Sequence, residues 1–192
     1  MNHGPPDDPE PSDRRSSSLP LLLLDVDGPL NPYGARFIRP RGYVTHRFRP
    51  SAWTARQDPG SYRFRRGLRV RLHPGHGARL LALPYEPVWA TTWMHEANEL
   101  IGPAIGLTAE LPVIEFTELF KKDQDGLYWK TRTVLEWTAG RPFAWVDDMI
   151  TELDEAYVAE VHDTRALLLR VDPRRGLRDS DFKELGRWAR TL

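Results

Sequence analysis

Two pairs of aspartates invite a chemical reading. Asp25 and Asp27 stand at i and i+2 directly after the run Leu21-Leu22-Leu23-Leu24, and Asp147 and Asp148 follow Phe143-Ala144-Trp145-Val146. Two adjacent threonines, Thr91 and Thr92, end a third apolar stretch, Pro87-Val88-Trp89-Ala90. If these stretches are strands of one sheet, their ends meet at one rim, where an open α/β sheet binds its ligands. Four carboxylates crowded into a partly desolvated rim repel one another unless a cation or protonation relieves them. Mg²⁺ suits the set: it takes a few carboxylate oxygens, keeps several waters and is completed by phosphate oxygens, without histidine or cysteine. The chemistry so described is phosphoryl transfer. One aspartate after a strand commonly does no more than cap a turn, but two pairs on two strands make a candidate site.

The elements that must deliver these acids follow one pattern. Residues 21–27, 87–91, 112–116, 142–147 and 166–171 are short apolar runs bounded by turn residues or charge, which predicts five strands buried on both faces. Between them, helical spacing covers residues 94–105, 130–139 (ended by Gly140) and 150–161. A last helix is predicted over 179–192, with Ser180 as its N-cap and Phe182, Leu185, Trp188 and Ala189 along one face. Strands alternating with helices predict a Rossmann-like, three-layer α/β domain around a central parallel sheet. At 192 residues the chain has the length of one domain, set here at residues 19–192. Residues 1–18, rich in proline and charge with Ser16-Ser17-Ser18, have no apolar periodicity and are predicted to be a disordered tail.

Residues 33–79 break the alternation. They hold twelve arginines and a single acid, Asp58, so this stretch carries +11 in a chain whose net charge is zero. Tyr43, Val44, Phe48, Tyr62, Phe64, Leu68, Val70 and Leu72 alternate with arginine between prolines and glycines, which predicts short hairpins with one basic face. This small, basic, β-rich insertion after the first strand is the natural place for an anionic partner. Arginines interleaved with Trp53, Tyr62 and Phe64 could follow a phosphate backbone and stack bases, with Arg63, Arg65 and Arg66 as substrate-binding candidates. The simpler reading makes the aromatics the insertion's own small core and spreads the arginines over a solvated face.

Composition removes several classes. With no cysteine there is no disulfide, thiolate metal site or cysteine nucleophile. Seven Trp and seven Phe provide bulk for a core. The longest apolar run, residues 19–24, contains Pro20 and is far short of the roughly 20 residues of a membrane span, so a cytoplasmic protein without membrane attachment is expected. No phosphate-binding P-loop or dinucleotide fingerprint occurs.

Asp25-Val26-Asp27-Gly28-Pro29-Leu30, a strand-terminal threonine, a lysine before the fourth strand and a closing Asp-Asp pair, in this order over residues 20–171, resemble the motifs of the haloacid dehalogenase-like (HAD) hydrolases. The resemblance implies that Asp25 is the nucleophile and forms an aspartyl-phosphate, and that Asp27 protonates the leaving oxygen and then activates water. It further implies that Thr91, with Thr92 as rival, binds a phosphoryl oxygen. Lys130 would pair with nucleophile and phosphoryl charge, Lys121 and Lys122 being fallbacks. Asp25, the Asp27 carbonyl and Asp148, supported by Asp147, would hold Mg²⁺. The sequence departs from the motif at Pro29, where the family usually has Thr or Val and therefore a backbone N–H.

Residues 33–79 sit where that family carries a small cap, and residues 115–128 are too few for the alternative cap. An open site suits a bulky phosphorylated substrate, and similar domains occur among nucleic-acid end-repair proteins. The expected function is an Mg²⁺-dependent phosphomonoesterase whose substrate the sequence does not name, with a phosphorylated small molecule or a nucleic-acid end as the expected partner and a polynucleotide-end phosphatase as one alternative. The other alternative is a module that binds nucleic acid or a phosphorylated ligand with little turnover.

The remaining polar and aromatic groups receive structural readings. His73-Pro74-Gly75-His76 is an ordinary turn rather than a metal pair, and His95, Glu96 and Asn98 are solvated helix surface. Trp89, Trp93, Trp129, Trp137 and Trp145 are packing, and Arg174 lies on a strand-exit loop near the rim.

Overall fold

Leu21–Leu24 forms β1, and it lies inside the sheet because both of its faces are apolar. Leu22 and Leu24 enter one core cluster and Leu21 and Leu23 the other, all fully buried. At about 1.5–3 kcal/mol for each fully buried leucine, this run alone fixes which strand is central. The computed structural model describes residues 19–35 and 40–192, so the expected tail at 1–18, together with Arg36 and Arg39, lies outside the described residues.

β1 pairs in parallel with β4 (Glu86–Trp89) on one side and β5 (Phe143–Asp147) on the other, and β6 (Ala166–Arg170) extends the sheet beyond β5. The order β4-β1-β5-β6 means that the chain leaves β1 to one side and returns on the other. Such a reversal opens a crevice at the carboxyl end of the central strand. Helices α5 (Thr131–Thr138), α6 (Glu152–Val161) and α7 (Asp179–Ala189) alternate with the later strands as expected. Among the described residues no helix is long and apolar enough to cross a membrane.

Four expectations need correction. Residues 112–116 are not a fifth strand: they touch β4 only through a bridge between Trp89 and Val113, because Pro112 lacks an N–H to extend the ladder. The helix expected over 94–105 begins later, as a π-helical turn Ala97–Ile101 running into the short α4 (Gly102–Ile105). The N-cap of α7 is Arg178, not Ser180; the Asp181 carboxylate accepts the Arg178 backbone N–H at 2.7 Å.

The fourth correction concerns the insertion, which among the described residues contains one hairpin rather than several. Strands β2 (Val44–Phe48) and β3 (Leu68–Leu72) pair antiparallel, with Val44 opposite Leu72, and two short helices, α1 (Ser51–Thr54) and α2 (Tyr62–Arg66), join them. The Ser61 hydroxyl accepts the Phe64 N–H to start α2, and Gly67, at φ +72°, ends it. The next helix, α3 (His76–Leu81), begins at the histidine turn. There the His73 and His76 rings stack at 4.7 Å with Tyr43 edge-on to both.

Candidate active site

The sheet register assembles the site. Leu24 is opposite both Trp89 and Val146, and the ladder continues one residue further on each side, with the Asp25 N–H bonded to Val146 O at 3.0 Å and the Ala90 N–H to Leu24 O at 2.9 Å. Asp25, Thr91, Asp147 and Asp148 therefore emerge at one rim, all buried. Asp25, Asp147 and Asp148 each offer a carboxylate oxygen within 4.8 Å of the others. No other group of three or more His, Asp or Glu side chains among the described residues could share an ion.

Lys130 stands under this cluster at the N-cap of α5, with its side chain only 1% exposed. Its ammonium donates to Asp147 Oδ2 at 2.8 Å and to Ala90 O at 2.9 Å, and lies 3.2 Å from Asp25 Oδ1. Two hydrogen bonds and the ion pair with Asp25 compensate the buried cation. The rings of Phe116, Tyr128 and Trp129 surround it at 5.5–5.9 Å and keep water away. Lys121 and Lys122, the fallbacks, are exposed at the surface, and Lys121 pairs with Glu118.

Burial pushes the Asp25 carboxyl up to about 8; Lys130 opposes the shift, whereas Asp147 and Asp27 add to it. Burial also raises Asp148, although the Tyr33 hydroxyl, donating to its Oδ2 at 2.6 Å, works against the rise. Asp147 has less freedom, with Oδ2 on Lys130 and Oδ1 accepting the Met149 N–H at 2.9 Å. Gly28 makes the assembly possible: at φ +97°, a Cβ on it would lie 2.5 Å from the Asp148 carboxyl carbon.

This donor set fits Mg²⁺. Its oxygens are hard ligands, and a cation among them would offset the burial and the like-charge repulsion that raise Asp25. A raised carboxyl pKa means that the folded protein holds a proton the unfolded chain releases, so ion-free stability declines as pH rises from the ordinary carboxylate range toward the folded value. A divalent cation bound by these carboxylates would compete with that proton. The gain in Tm on adding Mg²⁺ is therefore expected to be larger at about pH 8 than at about pH 5. Thermal melts with and without the ion check this, and a gain that shrinks with rising pH contradicts it.

Asp27 is held apart from the other acids. Its Oδ1 accepts from Asn31 Nδ2 at 2.6 Å and its Oδ2 from Trp93 Nε1 at 2.9 Å. Both supports lean on the insertion: Asn31 Oδ1 accepts the Arg71 N–H of β3 at 3.0 Å, and the Trp93 ring meets Phe48 of β2 edge-on at 6.4 Å. Trp93 is thus more than packing, and neither Asn31 nor Tyr33 is marked as a site residue by sequence reasoning. The only available signal is the identity of the two residues, donors close to or beyond the motif, since their targets depend on loop geometry. Asn98, expected at the surface, is half-buried and takes the Trp89 indole N–H at 2.7 Å, and Glu96 accepts from Ser51.

The threonines divide. Thr91 is fully buried and its hydroxyl hydrogen-bonds Asp25, while Thr92, half-buried, lines a cleft of about 210 Å³ that opens on Asp27. Arg63 and Arg66 line a second cleft of about 330 Å³ in the insertion. Arg65 does not line it; its guanidinium is turned to Gly60 O at 3.0 Å. Arg174 is exposed on the loop against Gly34.

A family described as the HAD domain in Swiss Army Knife RNA repair proteins matches residues 21–182. No curated protein and no solved structure matches the chain.

Proposed function

Given that the chain belongs to the family of HAD domains in Swiss Army Knife RNA repair proteins, we propose that it is a phosphohydrolase that removes a phosphate monoester from a nucleic-acid end through an aspartyl-phosphate. The family supports hydrolase chemistry of this kind and a role connected with nucleic acid. The observation that carries the proposal is the buried set of Asp25, Asp147 and Asp148 around Lys130.

Asp25 attacks phosphorus in line, and the bond to the leaving oxygen breaks as Asp27 gives that oxygen its proton. Asp27 then takes a proton from the water that attacks the same phosphorus, which releases inorganic phosphate and frees Asp25. The two carboxyls need different environments, since one must be ionised while the other carries a proton. Their surroundings do differ: Asp25 is buried beside Lys130, whereas Asp27 is half-buried between Asn31 and Trp93. Thr91 and Lys130 bind the phosphoryl oxygens, and Thr92 faces the incoming substrate. Asp25, Asp148 and the Asp27 carbonyl, with Asp147 behind them, would hold Mg²⁺, which would supply charge neutralisation at the phosphoryl group.

Phosphate release from p-nitrophenyl phosphate and from 3′- and 5′-phosphorylated oligonucleotides, with Mg²⁺ and with chelator, tests the proposal. Turnover that disappears on chelation supports it; inertness toward the whole panel overturns it. A finer prediction concerns Trp93. Trp93→Phe keeps the ring against Phe48 but removes the N–H from Asp27, so kcat is expected to fall about tenfold with a smaller change in KM. The pH profile of kcat should shift as well, and an unchanged profile excludes the positioning role.

A further inference from the structure

The two clefts beside the site share a wall. Trp53 and Leu68 line both the cleft that opens on Asp27 and the one within the insertion. Their chemistry differs. The first is faced by the aromatic and aliphatic side chains of Trp53, Trp93, Leu119 and Phe120, with Arg56, Glu96 and Asp27 also in its lining. The second is faced by Arg47, Arg63, Arg66 and Arg69 with Tyr62. No acid among the described residues forms a salt bridge with any of these four arginines, although the chain has as many acids as bases. Arg63, Arg66 and Arg69 are exposed, and Arg66 lies over the Tyr62 ring at 5.0 Å. Clustered, unneutralised guanidinium groups one wall away from a base-sized, aromatic-lined slot match an alternation of base and phosphate.

We infer that the clefts are consecutive subsites for an unpaired nucleic-acid end: the terminal base enters the slot on Trp53, and the next phosphodiester crosses Trp53 onto Arg63, Arg66 and Arg69. The inference rests on the phosphohydrolase reading for the placement of the terminal phosphate beside Asp25 and Asp27. It adds a length requirement and a demand that the end be single-stranded. A mononucleotide fills only the first cleft. A paired terminal base keeps its stack and does not enter.

Binding tests this without turnover. Fluorescence anisotropy on the Asp25→Asn chain, and on the native chain with chelator, is measured with end-phosphorylated RNA and DNA strands of one to six nucleotides. Affinity is expected to rise about tenfold between the mononucleotide and the trinucleotide and then level off. A strand whose terminal nucleotide lacks its base should bind about tenfold more weakly, and a blunt duplex end should lose a similar factor. Replacing Arg63, Arg66 and Arg69 together by Gln should remove the length step and reduce the slope of log affinity against log salt by about 0.7 for each phosphate that is no longer neutralised.

Equal affinity for the mononucleotide and longer strands overturns the inference. So does affinity that keeps climbing with length, which marks a non-specific polyelectrolyte surface, or indifference to the terminal base. The native chain gives these results whatever the folding of the arginine variant. Hydrolysis of p-nitrophenyl phosphate with no length step defeats the subsites and leaves the phosphohydrolase standing. A length step with no hydrolysis of any phosphomonoester does the reverse.

Discussion

Asp25→Asn is expected to abolish turnover, by about 10⁴-fold or more, in a chain that remains folded. The same substitution should raise the Tm of the ion-free protein at about pH 8, where the native carboxyl must otherwise ionise in a buried position against Asp147 and Asp27. At about pH 5 the native group is protonated and the two chains should melt close together. Asparagine keeps the shape and asks for no charge, while Lys130 retains Asp147 and the Ala90 carbonyl. Phosphate release and melting curves at the two pH values check both halves. Loss of activity with loss of fold assigns Asp25 a structural role instead.

The second large effect belongs to Lys130. Lys130→Met leaves two buried carboxyls without their cation, and breaking a buried pair from one side typically costs about 3–5 kcal/mol. Asp25 can answer by keeping its proton, so the loss should be greater at about pH 8 than at about pH 5. Turnover should vanish at both, because the proposed mechanism also places the ammonium against the phosphoryl charge. Urea denaturation at the two pH values measures the change in stability, and a loss independent of pH contradicts the assignment.

These effects involve residues whose types and positions are legible in the sequence. Asp25, Asp27, Asp147 and Asp148 follow apolar runs that must be interior strands, and a strand's end is fixed by its own periodicity. Parallel register then does the rest, since Leu24 cannot sit between Trp89 and Val146 without bringing Asp25 level with Asp147. Lys130, which precedes β5, is singled out by the family resemblance, with Lys121 and Lys122 as rivals. What surrounds the acids is less accessible. Tyr33 on Asp148, and Asn31 and Trp93 on Asp27, are contacts across loops, whose paths no periodicity encodes.

The insertion shows a different limit. The alternation Tyr62-Arg63-Phe64-Arg65-Arg66 has the period of a strand, yet five residues are too few to separate a strand from one helical turn. The deciding features are local: the Ser61 cap before it and Gly67 after it. Residues 112–116 fail as a strand for a related reason, as an apolar run at a sheet edge starting with proline has little backbone to pair.

The mechanism depends on Asp25 taking the phosphoryl group, and trapping that group tests it most directly. The native chain is mixed with Mg²⁺ and an end-phosphorylated oligonucleotide, quenched in acid within a turnover, digested and analysed by mass spectrometry. The mechanism predicts one phosphoryl adduct on the peptide containing Asp25, located on that residue and missing from Asp25→Asn. Phosphate released at full rate with no adduct on Asp25, or with the adduct on another side chain, contradicts it.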